Sequence, residues 1–132
     1  MEPGLATRDN SAVTLVVDDY PDARATVRDV LEELGHEVVE ASNGQEAFDF
    51  LISHPTLRVQ LIVLDLKMPV MNGWEFLALV RSYVRLSRIP IVVVSGNASS
   101  LLPDETQALA GCLQVPYDVS KLRALVGAVA TN

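Results

Sequence analysis

Short apolar runs alternate with amphipathic stretches along the chain. Residues 13–17 (VTLVV) form a β-branched run of strand length, followed at once by Asp18 and Asp19. Pro21 and Asp22 mark a helix start, and Ala23, Val27, Val30, Leu31 and Leu34 then recur at helical spacing up to Gly35, a C-cap residue. Residues 37–41 form a more polar strand, suited to a sheet edge. Asn43-Gly44 is a turn, 46–53 reads as a helix carrying Ala47, Phe50 and Leu51, and Pro55 stops it. The next strand is 60–64, ending at Asp65; Met68-Pro69 and Asn72-Gly73 punctuate the loop after it. Residues 74–83 are helical, with Phe76, Leu77 and Val80 on one face. A β-branched strand over 89–94 is broken by Ser95-Gly96-Asn97. A weaker helix over 101–109, a short strand over 112–115 and a last helix over 119–130, capped by Asp118, complete the pattern.

Five strands alternating with five helices imply an α/β fold: a doubly wound five-stranded parallel sheet covered on both faces. The flavodoxin-like order 2-1-3-4-5 makes the first and third strands neighbours. The length of 132 residues suits one domain, and an apolar share of 49% suffices for a core without disulfides. Residues 1–12 are polar and read as a flexible N-terminal tail, leaving 13–130 as the domain.

Charge narrows the function classes. Acidic residues outnumber basic ones 17 to 10, for a net charge of −7, which argues against a nucleic-acid surface or an anionic membrane as partner. Cys112 is the only cysteine, so no intrachain disulfide forms. The start lacks the pattern of a signal peptide, and no apolar run approaches a bilayer span, so a cytoplasmic protein is expected.

In open α/β sheets, ligands bind beyond the carboxyl ends of the strands. Asp18 and Asp19 follow the first strand, Asp65 the third, and Ser95 the fourth. Crowded carboxylates repel and hold protons more tightly unless a cation sits among them. A few oxygen ligands favour Mg²⁺, which keeps several of its waters. Asp65 can also act as a nucleophile, because carboxylates form acyl phosphates. Ser95 can donate a hydrogen bond to a phosphoryl oxygen. A single strand-end Asp is more often a turn or cap residue; the weight lies in the combination.

The sequence resembles the receiver domain of bacterial response regulators over residues 13–129. The matching segments are LVVDD at 15–19, VLDLKMP at 63–69, NG at 72–73, IVVVSG at 91–96 and PY at 116–117. The resemblance implies that Asp65 is the phosphoacceptor and that Asp19 binds Mg²⁺ directly, Asp18 mainly through water. Asp65 itself and the backbone carbonyl of Lys67 complete the protein ligands, and Ser95 is the hydroxyl that follows the bound phosphoryl group. Pro69 and Gly73 shape the loop. The implied donor is a histidine kinase or histidine phosphotransfer protein. The readout is a change in the face of the fourth helix, fifth strand and fifth helix, passed to a downstream protein partner or a second copy in a homodimer. No catalysis beyond self-catalysed phosphoryl transfer and autodephosphorylation is implied.

Two positions depart from the family pattern. Val115 stands where the family has a lysine before the fifth-strand proline, and Cys112 where it has an aromatic switch residue. Lys67, two residues past Asp65, can lean over the site, whereas Lys121 and Arg123 lie on the last helix and do not reach it. These departures motivate an alternative: a receiver-like interaction module that no longer depends on phosphorylation. A phosphatase using a strand-end Asp is a weaker reading, because Lys67 stands where such enzymes want a second Asp.

Overall fold

The computed structural model describes residues 12–129. The expected tail therefore lies almost wholly outside the described residues, as does Ala130 at the expected domain end. The elements follow the alternation: β1 (Val13–Val17), α1 (Pro21–Glu33), β2 (Glu37–Ala41), α2 (Gly44–Ser53), β3 (Val59–Leu64), α3 (Gly73–Arg81), β4 (Ile91–Ser95), α4 (Pro103–Gln107), β5 (Gly111–Gln114) and α5 (Val119–Val129). The sheet order is β2-β1-β3-β4-β5, with all four pairings parallel.

Alternation along each strand divides the core between the two faces. Leu15 and Val17 of β1 pack with Ile62 and Leu64 of β3 under Leu51 of α2 and Phe76, Leu77 and Val80 of α3. Val16 and Val63 point the other way, toward Val27, Val30 and Leu31 of α1 and Leu122 and Val126 of α5. The central strands are thus apolar on both faces. By contrast, β2 and β5 are only half-buried along most of their length, as sheet edges.

Helix ends are fixed by residues with a clear physical role. Pro21 occupies the first turn of α1, where its missing N–H costs nothing. The helix is closed by Gly35 at φ +88°, a backbone conformation that favours glycine. Asn43 caps α2, and Asn72 with Glu75 makes a reciprocal capping box on α3.

Most boundaries shift by one or two residues, β5 among them, which runs Gly111–Gln114 and leaves Val115 beyond its end; the differences at β4 and α4 have a clear physical reason. β4 starts at Ile91 rather than 89, because Pro90 has no N–H for the ladder and only its carbonyl bonds, to Ile62 N. Ser95 is the last residue of β4, not the first of the loop. The helix expected over 101–109 shortens to Pro103–Gln107, none of whose residues is buried. A polar PDETQ segment has no apolar face to pack, so nothing extends it. Short 3₁₀ turns at Leu86–Arg88 and Ala98–Ser100 were not foreshadowed by any periodicity.

Candidate functional site

The sheet register builds the site. Val17 of β1 pairs with Leu64 of β3, so the next residues of each strand, Asp18 and Asp65, emerge side by side. The Asp65 N–H continues the ladder onto the Val17 carbonyl (2.9 Å), and the Asp18 N–H bonds Ala41 on the other side (3.1 Å). Asp19 follows. Each of Asp18, Asp19 and Asp65 offers a carboxylate oxygen within 4.8 Å of the others. An all-oxygen donor set of this charge, partly buried, fits a small hard divalent cation.

Asp18 bears the electrostatic cost. It is 8% exposed. Burial, reinforced by the charges of Asp65 and Asp19, pushes its carboxyl up to about 6 against the Tyr20 N–H bond and Arg24, which pull it down. The Tyr20 N–H donates to Asp18 Oδ1 at 2.9 Å. Arg24 donates to the Asp18 carbonyl oxygen (2.7 Å), while its Nε is paired with Glu40 (2.8 Å). Its guanidinium is thereby shared between two groups, neither of them a carboxylate of the trio.

A pH prediction follows. The folded-state value of Asp18, about 6, lies above its ordinary 3.8. Folding therefore favours the protonated carboxyl, and ionising it destabilises the metal-free fold as pH rises through that window. With EDTA present, Asp18→Asn should match the wild type in unfolding free energy below the window and exceed it above. Parallel curves for the two proteins across that range would show that Asp18 is not strained.

A cleft of about 410 Å³ opens beside the trio, lined by Asp18, Asp65, Val94, Ser95, Val115 and Tyr117, among others. Ser95 is fully buried; its Oγ accepts the Asn97 N–H (3.0 Å), which leaves the hydroxyl proton to donate. Among the described residues, no Lys or Arg lines this cleft. Val115 is 42% exposed on its wall. Lys67 lines a separate hollow with Asp19, Met68 and Pro69, so it borders the metal side of the site rather than the cleft. Lys121 lines another hollow, beside Cys112 and Asp118, and Arg123 is paired with Glu33 at 2.8 Å.

The loop after Asp65 is held at several points. The Gly73 N–H bonds the Leu66 carbonyl (2.7 Å), the Leu66 N–H bonds Asp65 Oδ1 (2.8 Å), and the Gly44 N–H bonds the Met71 carbonyl (2.9 Å). Val70 adopts φ +68°, a sparsely populated conformation for a β-branched residue. Cys112 packs against the core on the α3 side of the sheet, and burial pushes its thiol up, away from the reactive thiolate.

The structure thus brings Asp18, Asp19, Asp65 and Ser95 to one place and sets Lys67 at its edge. Two contributors escaped the sequence reading. Arg24 has a weak signal in its position on the first turns of α1, facing β2. Gln114 had none; its side chain reaches the loop after β4.

Comparison with known proteins agrees with this geometry. A family model described as "Response regulator receiver domain" matches residues 14–126. Response regulator Rre1 of Synechocystis is 34% identical over 117 residues, covering 85% of this chain and 48% of that protein. The chain thus spans about half the length of that curated relative. Among solved structures, the chemotaxis response regulator CheY4 of Vibrio cholerae superposes with a TM-score of 0.73 at 30% identity, covering 91% of this chain and 99% of that one. The Mn²⁺-bound form of response regulator Rcp1 gives 0.75 at 26% identity, covering 92% and 96%.

Proposed function

This chain belongs to the response-regulator receiver domain family, and from that premise we propose that Asp65 is its phosphoacceptor, with Asp18 and Asp19 holding Mg²⁺. The observation that carries the assignment is the convergence of three carboxylates within 4.8 Å beside a cleft shared with a buried hydroxyl.

The family is a phosphoaccepting signalling module rather than a metabolic enzyme. In the proposed reaction an Asp65 carboxylate oxygen attacks phosphorus. The P–N bond of a phosphohistidine, or the P–O bond of a small acyl phosphate, breaks, and its electron pair leaves with the donor. An aspartyl phosphate results. Asp18, Asp19, Asp65 and the Lys67 carbonyl would hold the cation, which supplies positive charge against the phosphoryl oxygens when bound. The relative Rcp1 has been solved with Mn²⁺, which supports a divalent ion here. Ser95 donates its hydroxyl proton to a phosphoryl oxygen.

The donor is a histidine kinase or phosphotransfer protein, and the output passes by contact to another protein, in the cytoplasm. Loss of the phosphoryl group is self-catalysed hydrolysis at the same site. No helix among the described residues is long and apolar enough to cross a membrane. The intact trio argues against the phosphorylation-independent alternative. The test is intact-mass measurement after acetyl phosphate with and without Mg²⁺: one added phosphoryl group is expected with the ion and none after chelation. An unchanged mass in both would overturn the reading.

The uncharged wall of the cleft has a consequence for yield. Val115→Lys places an ammonium beside the phosphorylated Asp65, where an added charge-assisted bond in a partly open site is worth about 1 kcal/mol, roughly fivefold in equilibrium. The phosphorylated fraction at sub-saturating acetyl phosphate should rise accordingly. Equal fractions in the two proteins would show that Val115 is no handicap.

A further inference from the structure

Gln114, the last residue of β5, makes three backbone contacts with one carboxamide. Its Nε2 donates to the Gly96 carbonyl (2.7 Å) and to the Val115 carbonyl (3.3 Å), and its Oε1 accepts the Ser99 N–H (2.9 Å). Two partners are acceptors and one is a donor, so the backbone itself dictates which end of the amide faces which way. Gln114 also stands directly across the sheet from Ser95, whose carbonyl accepts the Val115 N–H at 3.0 Å.

Apart from Ala98, whose side chain is buried in the core, the segment after Ser95 is held to the sheet chiefly by this side chain. Gly96 has open space around it, with nothing near the position of a Cβ, so no packing fixes the backbone there. The 3₁₀ turn that follows (Ala98–Ser100) is stabilised by its own short-range bonds, Ser100 N to Asn97 O and Leu101 N to Ala98 O. Those bonds keep the turn's shape but do not tie it to the sheet. Gln114 spans the gap from Gly96 to Ser99 and ties both to the end of β5. Asn97, whose N–H bonds Ser95 Oγ, lies inside the tied span.

We infer that Gln114 is a positioning residue for Ser95: its carboxamide clamps the 96–99 segment to β5, and through the Asn97 N–H sets where the Ser95 hydroxyl points in the cleft it shares with Asp65. The inference rests on the proposed role of Ser95. It also makes Gln114 a side-chain link, beside the Val115 N–H to Ser95 carbonyl bond, between the hydroxyl loop and the β5–α5 connection at Val115 and Pro116, on a face where Cys112 offers no ring to move. Any shift of the Ser95 loop toward a phosphoryl group then pulls on, or releases, the end of β5.

Gln114→Met keeps length and bulk but removes all three bonds; Gln114→Glu keeps the acceptor for Ser99 and turns a carboxylate oxygen toward two carbonyls. Gln114 is exposed, so both variants should fold. Initial rates of phosphorylation by acetyl phosphate at saturating Mg²⁺ should fall about 3- to 10-fold in each. The Mg²⁺ affinity by calorimetry should stay within about twofold, and amide exchange at Ser99 should accelerate in Gln114→Met. In a Ser95→Ala background, Gln114→Met should cause no further loss of rate, the non-additivity expected of two residues acting as one unit. Wild-type rates in Gln114→Met, or losses that multiply in the double variant, would overturn the inference, since a merely structural role acts independently of Ser95. A different result, Ser95→Ala phosphorylating as fast as wild type, would remove the role of Ser95 itself and this inference with it. An unchanged Ser99 exchange rate in Gln114→Met would instead show that the clamp is not closed in solution.

Discussion

Asp65→Asn should abolish phosphoryl incorporation from acetyl phosphate and, in the same protein, raise metal-free stability. The two effects have opposite signs because Asp65 serves chemistry at the expense of the fold. An amide cannot form the acyl phosphate, so incorporation should drop to background. The same substitution removes one negative charge from a cluster in which Asp18 is already pushed up to about 6 by burial and by its neighbours. Relief of that repulsion across a partly solvated site is worth about 0.5–1 kcal/mol at neutral pH. Intact-mass measurement reads the first effect and urea denaturation with EDTA the second. A less stable Asp65→Asn protein would show that the trio is not electrostatically strained. Residual incorporation at wild-type levels would show that another group accepts the phosphoryl.

The second large effect is expected at Gly73, which makes no contact with any reacting group. It begins α3, and a Cβ there would lie 2.3 Å from the Asp65 carbonyl oxygen and 2.7 Å from Leu66 Cα. Both are backbone atoms of the segment carrying the phosphoacceptor, so no side chain can swing aside to make room. Gly73→Ala should cost about 2–4 kcal/mol, at or above the upper end of the usual overpacking range. It should also weaken Mg²⁺ binding, since Asp65 must move with its carbonyl. Gly127 is the internal control. It lies within α5, with nothing near its Cβ position, and Gly127→Ala should stabilise by about 0.5–1 kcal/mol through helix propensity. Denaturation curves for the two variants should shift in opposite directions. A neutral Gly73→Ala would mean that the loop adapts freely and that the close approach does not position Asp65.

These expectations show which parts of the molecule the sequence made legible. The strands were readable because their signal is local: continuous β-branched runs such as IVVV at 91–94 admit few other interpretations. The strand-end position of Asp18, Asp19 and Asp65 then followed from the rule that ligands bind at the carboxyl ends of parallel strands. The register that sets Asp18 beside Asp65 is a consequence of β1 lying next to β3. The weak helix signal over 101–109 overstates α4, because Pro103 starts the helix and the leucines at its ends lie outside it. The five residues that do form the helix bury nothing. Leu102 remains 64% exposed.

Within the site, composition was readable and orientation was not. Its place two residues past Asp65 puts Lys67 within sequence reach of the phosphoryl group. The loop instead sends it to the hollow shared with Asp19, Met68 and Pro69. Gln114 acts through hydrogen bonds to backbone groups far along the chain, Gly96 and Ser99, and Arg24 through the Asp18 carbonyl and the Glu40 carboxylate. Such bonds depend on rotamer and register together, and neither leaves a pattern in the local sequence. The absence of a cation at Val115 was visible in the sequence. Its result, an apolar-walled cleft beside the carboxylates, required the fold.

The most direct test is to locate the acyl phosphate. Wild-type protein treated with acetyl phosphate and Mg²⁺ is reduced with borohydride, which converts an aspartyl phosphate to homoserine, then digested and mapped by mass spectrometry. Homoserine at position 65 alone, absent after chelation of the metal, is the expected result. Homoserine at Asp18, Asp19 or elsewhere, or none at any position, would contradict the assignment.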